Sequence, residues 1–460
     1  MAGIGFVLRN LTYKDNLMGL LAGFGYSALV ATGPWLFTIL SLTGSMALGS
    51  LFTTFEQQST FRIIVIYNFA FSLVLSGPIV MVITRYVADL IFTREVQHVP
   101  GTLLGGLILL FTIQAPLAIG FYFFFADLEV SNRIHGLTNY FLITGIWLVT
   151  VFITALKDYK FIIRIFLMGM ILGTLTNPIL SMEFGVSGML FGFNTGLAII
   201  FFALTARVFA EYPYKVRGLF LFMPHFKKYW DLALIGLFFN MAAWMDKWIM
   251  WFAPESEQLV GGFPSYPNYD SAMFLAYLTI VPSMASFVLS METSFYERYL
   301  KYYRDIQKHV TYEQIIANQK DLIGSIHTSG RNFFILQGGI SVTALVLAPT
   351  IFQAFGVNFL QLGMFRLGVL GAFYHAMLLF LNIALSYFDF RRHALAISGV
   401  FLLTNGGFSI ISLNYGFPYY GYGYFAATAF TFGFAFLLVF HMLRNLPYHT
   451  FISSNDSVKG

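Results

Sequence analysis

The chain has 460 residues, of which 58% are hydrophobic and only 10% are charged, with a formal net charge of +5. About one quarter of the residues in a soluble domain are charged, so this composition excludes most soluble enzymes and nucleic-acid-binding proteins. In a membrane protein, an excess of basic residues is typical of cytoplasmic loops and does not indicate a nucleic-acid surface. The sequence contains no cysteine, which excludes a disulfide-stapled ectodomain and metal sites with cysteine ligands.

Uncharged windows predict the membrane spans, because about 20 helical residues cross the hydrocarbon and a charge near its centre is costly. Ten windows of at least 18 residues contain no Asp, Glu, Lys or Arg, and the last is long enough for two helices. A further helix at about 230–252 is interrupted by the adjacent charges Asp246 and Lys247. The sequence therefore predicts an all-α polytopic membrane protein with about twelve transmembrane helices. The windows are 16–55, 63–84, 96–126, 134–156, 165–182, 184–206, 271–291, 332–365, 367–388 and 393–443.

Most of the basic residues fall at the two ends of the chain and at alternate loops, which places both termini in the cytoplasm. A Pro-Tyr pair follows Arg207 after the sixth span, and another follows Arg444 after the twelfth. This echo favours two six-helix halves, as in many transporters. The predicted organisation is an interfacial helix over 1–15, an N-terminal half over 16–209, a cytoplasmic linker over 210–228, a C-terminal half over 229–445 with a cytoplasmic helical insertion at 296–331, and a tail over 446–460.

One face of the predicted seventh span carries an amide, a cation and two indoles. Asn240, Trp244, Lys247 and Trp251 recur at positions i, i+4, i+7 and i+11, which is one side of a helix. Indole rings stack on the apolar faces of sugar rings, while amides and charges bind hydroxyl groups, so this face is a candidate substrate path. The alternative is that Lys247 and Trp251 lie near the membrane interface and only anchor the helix there.

Five further candidate residues lie within or at the edge of predicted spans. Asp246 and Glu292 are candidates for ion coupling, or each is one half of an ion pair. Arg366 is either a cation in a substrate cavity or an interfacial anchor. His375 and Asn382 are seven residues apart and share a helix face, so they are either substrate-path residues or make an interhelical hydrogen-bonded contact.

The insertion at 296–331 is the one sizeable soluble segment. Thr311 and Gln314 have capping-box spacing, which predicts that the eighth helix extends into the cytoplasm and that a second helix starts near Tyr312. The insertion is either a docking surface for a cytoplasmic partner or an amphipathic connector along the membrane. The apolar docking candidates are Leu300, Tyr303, Ile315, Ile316, Leu322 and Ile323.

Nucleotide-binding and metal motifs are missing: the sequence has no Walker A motif, no HExxH motif and no Cys/His cluster. We therefore expect neither an enzyme nor a metal or organic cofactor. Transport by this chain would take its energy from an ion gradient, from a partner, or from growth of the substrate itself.

Several segments resemble the inner-membrane exporters of Pel exopolysaccharide systems. This family belongs to the polysaccharide-transporter branch of the multidrug/oligosaccharidyl-lipid/polysaccharide exporter superfamily. The resemblance covers essentially the whole chain. The segments are AGIGFVLRNL (2–11), GPW (33–35), SGPIVMVITRYVADLIF (76–92), YDSAMFLAYLTIVPSMASFVLSMETSFYERY (269–299) and LLTNGGF (402–408).

The resemblance implies export of a Pel-type amino-sugar polymer across the bacterial inner membrane during biofilm formation. It also implies partners, namely a cytosolic UDP-sugar-dependent glycosyltransferase and small inner-membrane proteins that include a cyclic-di-GMP sensor. Two alternatives keep the same twelve spans. The first is a lipid-linked oligosaccharide flippase or ion-coupled antiporter of the same superfamily, and the second is a non-transporting membrane anchor for the synthase.

Overall fold

The computed structural model describes residues 17–156, 158–259, 262–354 and 358–453. The predicted interfacial helix over 1–15 lies outside this part, as do residues 454–460 of the predicted tail. Single-turn π-helices follow α3 at Phe121–Phe125 and join α9 to α10 at Met291–Phe295. The α-helices are α1 (Leu17–Gly49), α2 (Phe55–Thr93), α3 (Val99–Gly120), α4 (Val130–Leu156), α5 (Tyr159–Glu211), α6 (Met223–Lys228), α7 (Trp230–Met250), α8 (Pro267–Leu278), α9 (Val281–Ser290), α10 (Tyr296–Gln307), α11 (Tyr312–Ala354), α12 (Leu362–Tyr387), α13 (Arg391–Tyr415), α14 (Tyr422–Arg444) and α15 (Leu446–Tyr448).

The helices confirm an all-α polytopic membrane protein. Among the described residues, ten helical segments are long and apolar enough to cross a membrane. One of them, α5, has 53 residues and contains a kink at Gly185, whose φ of 52° and ψ of −128° are not helical. The kink divides α5 into two spans, and α1 is a further apolar helix of 33 residues. The described helices thus account for about twelve spans, while the cytoplasmic placement of both termini stays a prediction.

The chain divides into two compact units. The first contains Thr32–Pro267, and the second contains Asn268–Gly460 together with the start of α1. The division follows α7 and a short antiparallel hairpin of β1 (Glu257–Leu259) and β2 (Phe263–Ser265), so it falls later in the chain than the predicted linker at 210–228. Sequence halves and compact units are different divisions of the chain, and the two six-helix halves stay a prediction.

Helix α2 is the centre of the first unit, where it packs against α4 and α7. A capping box starts the helix: the backbone N–H of Gln57 donates to the Thr54 hydroxyl, and the backbone N–H of Thr54 donates to the Gln57 side chain. Helices α2 and α7 approach most closely at two glycines. A Cβ atom added at Gly77 would lie 2.5 Å from the carbonyl oxygen of Gly236, so only glycine fits at this crossing.

In the second unit, α14 packs against α12 and α13, and α11 packs against α12. The predicted insertion at 296–331 forms α10 and the first turns of α11, and these two helices pack against each other. The backbone N–H of Gln314 donates to the Thr311 hydroxyl at 3.4 Å, and α11 begins at Tyr312, as the sequence predicts.

Candidate functional site: an aromatic and amide-lined cleft

The first unit contains a cleft of about 120 Å³. Aromatic rings make up most of its wall, and one amide and three phenol groups are the polar groups on it. None of the residues that line the cleft is charged. They are Tyr67, Asn68, Phe71, Leu75, Leu117, Ala118, Phe121, Tyr122 and Tyr140.

Helical spacing brings these rings together. Tyr67 and Phe71 are one turn apart on α2, and their rings lie 5.6 Å apart. Phe121 and Tyr122 lie in the π-helical turn that follows α3, where the Phe121 ring stacks on Tyr67 at 6.1 Å. Tyr140 projects from α4. The cleft therefore presents several ring faces to one small volume, as sites that bind apolar ring faces do.

A buried chain of amides supports the floor of the cleft. The Tyr122 hydroxyl donates to Asn68 Oδ1 at 2.7 Å. Asn68 Nδ2 donates to Asn139 Oδ1 at 2.9 Å, and Asn139 Nδ2 donates to Asn194 Oδ1 at 2.7 Å. Asn194 Nδ2 then donates to the backbone carbonyl of His135 at 2.9 Å. Because each bond fixes the orientation of the next amide, Asn68 is held in place at the cleft wall.

A second set of hydrogen bonds holds Tyr140. The Tyr140 hydroxyl donates to Gln114 Oε1 at 2.6 Å, and the Thr144 hydroxyl donates to the same oxygen at 3.3 Å. Gln114 Nε2 donates to the Ser76 hydroxyl at 3.1 Å. Gln114 is fully buried, so these bonds satisfy an amide that would otherwise be costly in an apolar interior.

The predicted face of α7 contacts the outer side of this wall. Trp251 stacks on Tyr67 with ring centroids 4.5 Å apart and planes within 9°, and Trp248 stacks on Phe71 at 5.0 Å and 9°. Asn240 Nδ2 donates to the backbone carbonyl of Leu73 at 3.2 Å. Trp251 is 3% exposed, so its indole supports a cleft residue and is covered by protein.

Asp246 and Lys247 form a buried ion pair on α7. Lys247 Nζ lies 3.1 Å from each carboxylate oxygen of Asp246 and donates to the carbonyl of Ala243 at 3.2 Å. Asp246 is 0% and Lys247 8% exposed. The Lys247 ammonium also lies 6.0 Å from the centre of the Trp244 ring. The cation of the predicted face is thus largely neutralised by its neighbour.

The short hairpin closes one side of the cleft wall. Phe263 on β2 is 1% exposed and meets Tyr67 edge to face at 5.0 Å and Phe121 at 5.4 Å. The Tyr67 hydroxyl donates to the backbone carbonyl of Pro264 at 2.6 Å. Two of the cleft's rings are therefore fixed by the hairpin.

The structure places the other predicted path residues in the second unit. Arg366 is exposed near the start of α12. His375 is buried, and its Nδ1 lies 3.0 Å from the Tyr424 hydroxyl and 3.4 Å from the Tyr277 hydroxyl, which is the interhelical contact that the sequence offered as one alternative. Within the described residues, the buried Asn382 Oδ1 accepts no hydrogen bond. Glu292 lies in a π-helical turn, and its side chain is outside the described part.

The predicted docking residues of the insertion differ in exposure. Ile315 is 8% exposed and Leu322 is fully buried, while Leu300 is 46% exposed; Tyr303, Ile316 and Ile323 are intermediate. Burial, and then the neighbouring Tyr299 and Tyr302, raise the pKa of Tyr303. The chain itself therefore covers Ile315 and Leu322, and neither presents its side chain to a partner in this structure.

Sequence reasoning missed the cleft itself, because it searched the spans for ionisable residues. The signal was present in neutral ones: Asn68, Gln114, Asn139 and Asn194 all lie in uncharged windows. An amide inside a membrane span needs a partner, and four such amides in the second, third, fourth and sixth uncharged windows indicate buried polar contacts between these spans.

Comparisons with known proteins agree with this architecture. The family model described as "PelG: Putative exopolysaccharide Exporter (EPS-E)" matches residues 1–451. A search of curated proteins finds no match.

Solved structures show the same fold at low sequence identity. An outward-facing multidrug resistance MATE family transporter of the MOP superfamily has a TM-score of 0.62 and 13% identity, covering 92% of this chain and 96% of that chain. The inward-facing conformation of such a transporter has a TM-score of 0.62 and 13% identity, with 91% and 99% coverage. A MOP superfamily transporter from Pyrococcus furiosus Vc1 has a TM-score of 0.60 and 12% identity, with 91% and 96% coverage. The chain therefore has the fold of MOP-superfamily transporters.

Proposed function

Because the chain belongs to the PelG family of exopolysaccharide exporters, we propose that it exports a Pel-type amino-sugar polysaccharide across the bacterial inner membrane during production of the biofilm matrix. Family and fold point to a transporter and not to an enzyme. In this proposal a cytosolic UDP-sugar-dependent glycosyltransferase supplies the growing polymer. Small inner-membrane Pel proteins, one of them a cyclic-di-GMP sensor, complete the assembly.

The observation that carries the proposal is the lining of the cleft. Tyr67, Phe71 and Phe121 offer ring faces that fit the apolar faces of sugar rings, while Asn68 and Tyr140 offer an amide and a hydroxyl. Stacking tolerates different sugars and small shifts in position, which suits a polymer that must slide. Hydrogen bonds from few groups keep each sugar bound weakly enough to move on.

The charges of the first unit argue against the two related activities. A flippase for lipid-linked oligosaccharides needs cations for a pyrophosphate, whereas no residue lining the cleft is charged. An antiporter needs a carboxylate that can exchange its ion, whereas both oxygens of Asp246 already contact Lys247. The cleft therefore favours an uncharged stretch of sugar chain as its occupant.

The proposal assigns the driving force to synthesis. Each glycosyl transfer from a UDP-sugar releases free energy and lengthens the chain by one sugar, so a growing polymer can be pushed through a passive path. This scheme needs no coupling ion, and it requires the polymerising enzyme to stay at the transporter.

The experiment that tests the cleft compares two phenylalanines on the same helix. Phe71 lines the cleft, whereas Phe92, which is 89% exposed, does not. We expect Phe71→Ala to lower polymer secretion about three- to tenfold, since one aromatic contact is worth about 0.5–1.5 kcal/mol. Phe92→Ala should secrete normally, with membrane abundance of both variants measured in parallel. Equal secretion by the two variants at equal abundance would refute the cleft as the path.

A second experiment tests the driving force. Proteoliposomes that contain this protein and its glycosyltransferase receive UDP-sugar, and protected polymer is measured with and without a protonophore. We expect export to continue after the proton gradient is removed. Loss of export while synthesis continues would instead indicate ion coupling. Asp246 and Glu292 would then be the leading candidates for the coupling site.

A further inference from the structure

The segment at residues 212–228, which connects α5 to α7, carries an unusual combination of exposed side chains. Five large apolar residues within ten positions are each 44–47% exposed. Four basic residues of the segment are exposed as well, and the segment contains no acidic residue. The apolar residues are Tyr214, Val216, Phe220, Leu221 and Met223; the basic residues are Lys215, Arg217, Lys227 and Lys228.

The backbone of this segment is held close to the first unit. A Cβ atom added at Gly101 or Gly105 of α3 would overlap the carbonyl oxygen of Arg217 or Leu219 respectively. Gly218 turns the chain with a φ of +65°, a conformation that favours glycine. Phe222 is fully buried and contacts the Tyr86 ring at 6.4 Å. The backbone and one ring thus anchor the segment to the first unit, while its five apolar and four basic side chains named above stay exposed.

Position along the chain limits what can cover these side chains. The segment leaves one membrane span at Glu211 and enters the next at Trp230, so it runs along the boundary between membrane and water. At that boundary, apolar and aromatic groups insert among the headgroups while Lys and Arg attract anionic lipids. The nearest acidic residues are already engaged: Glu211 pairs with Arg207 at 3.0 Å, and Asp231 is 6% exposed.

We propose that residues 212–228 form a docking surface for the headgroup layer of anionic phospholipids. The five apolar side chains insert below the phosphates, and the four basic side chains bind them. Charge complementarity selects anionic over zwitterionic lipid, and the apolar side chains distinguish a lipid surface from free phosphate, which would leave them in water.

A single fluorescent label tests this directly, because the chain has no cysteine of its own. The Leu221→Cys protein is labelled with bimane and placed in nanodiscs that contain equal mole fractions of doxyl-labelled phosphatidylglycerol or doxyl-labelled phosphatidylcholine. We expect both lipids to quench the label, with a Stern–Volmer slope about threefold steeper for phosphatidylglycerol, because basic side chains at the membrane surface attract anionic headgroups.

Two charge variants complete the test. Lys215→Gln, Arg217→Gln, Lys227→Gln and Lys228→Gln together should make the two slopes equal while quenching persists. The matched control removes four other exposed basic residues, with Arg298→Gln, Lys301→Gln, Arg304→Gln and Lys308→Gln, and should keep the preference.

Three outcomes would overturn the proposal: no quenching by either lipid, equal slopes in the protein with all its basic residues, or shielding of the label only when a soluble protein is added. The first two need only the Leu221→Cys protein, so they decide the question even if the charge variant fails to fold.

Discussion

The two compact units bury their polar groups in different ways. In the first unit, Asn68, Asn139 and Asn194 form a continuous hydrogen-bonded chain, and a charged pair is buried as well. In the second unit, the interior polar contacts that we compare are shorter and join two or three side chains, such as the Thr404 and Thr431 hydroxyls at 3.1 Å or His375 with Tyr277 and Tyr424. Such a short group only joins neighbouring helices, whereas the longer chain of the first unit also fixes the orientation of a group at a cleft.

In the proposed function, this difference gives an apolar bundle a way to bind a polar polymer. The first unit supplies its cleft with one positioned amide and several rings, and its buried Asp246 and Lys247 pair with each other. The second unit carries the insertion at 296–331 instead. We therefore expect substitutions in the polar interior to be more damaging in the first unit than in the second.

The largest expected effect concerns buried charge. Lys247→Met removes the cation beside the fully buried Asp246 and should destabilise the protein by about 3–5 kcal/mol. The comparison in the second unit is Arg391→Met, whose partner Asp389 is half exposed at 3.4 Å, and which should cost about 0–1 kcal/mol. Thermal unfolding of the purified proteins in detergent measures both. The double variant Asp246→Asn with Lys247→Met should recover much of the lost stability. No recovery would show that the unpaired Asp246 carboxylate does not cause the destabilisation of the single variant.

The next effect concerns the amide chain. Asn139→Leu leaves Asn194 Oδ1 without its donor and leaves Asn68 Nδ2 with only the backbone carbonyl of Gly136, so it should cost about 1–3 kcal/mol. Thr431→Val breaks one hydroxyl contact in the second unit and should cost about 0.5–1.5 kcal/mol. Unfolding midpoints of the two variants compare the units directly. Equal shifts would contradict the distinction between the long amide chain of the first unit and the shorter polar groups of the second.

A smaller effect tests the prediction that the insertion at 296–331 binds the glycosyltransferase. Leu300 is the exposed member of the predicted docking residues, so Leu300→Glu should weaken co-purification of the glycosyltransferase about tenfold, which corresponds to about 1.4 kcal/mol. Leu322 is buried in the same insertion, so Leu322→Ala should lower the stability of the protein instead of weakening co-purification directly. Unchanged co-purification of the Leu300→Glu protein would leave the insertion as a connector between spans.

Spans could be predicted because their cause is local. Glu183 separates the uncharged windows 165–182 and 184–206. The structure has the kink of α5 two residues later, at Gly185. Periodicity also placed Asn240, Lys247 and Trp251 on one side of a helix. It could not show that the Trp251 ring stacks on Tyr67. Likewise, the apolar face with Ile315 and Leu322 was visible in the sequence, but packing of α10 on α11 decides what covers it. The cleft depends on contacts between α2, the end of α3 and α4, so no single helix reveals it.

The smallest expected effect is a pH dependence of the stability of the first unit. It involves His225 on α6, whose ring lies 4.5 Å from the Tyr86 ring. Burial, and then the charge of Lys228, lower the pKa of His225, while Asp89 acts in the opposite direction. The folded protein thus favours the neutral imidazole, and this contribution to stability is present above pH of about 6.5 and is lost as the pH falls. We expect the advantage in unfolding midpoint of the unmodified protein over His225→Gln to shrink between pH 8 and pH 5.5. A difference that stays constant over this range, or that grows as the pH falls, would show that the neutral form is not preferred at this position.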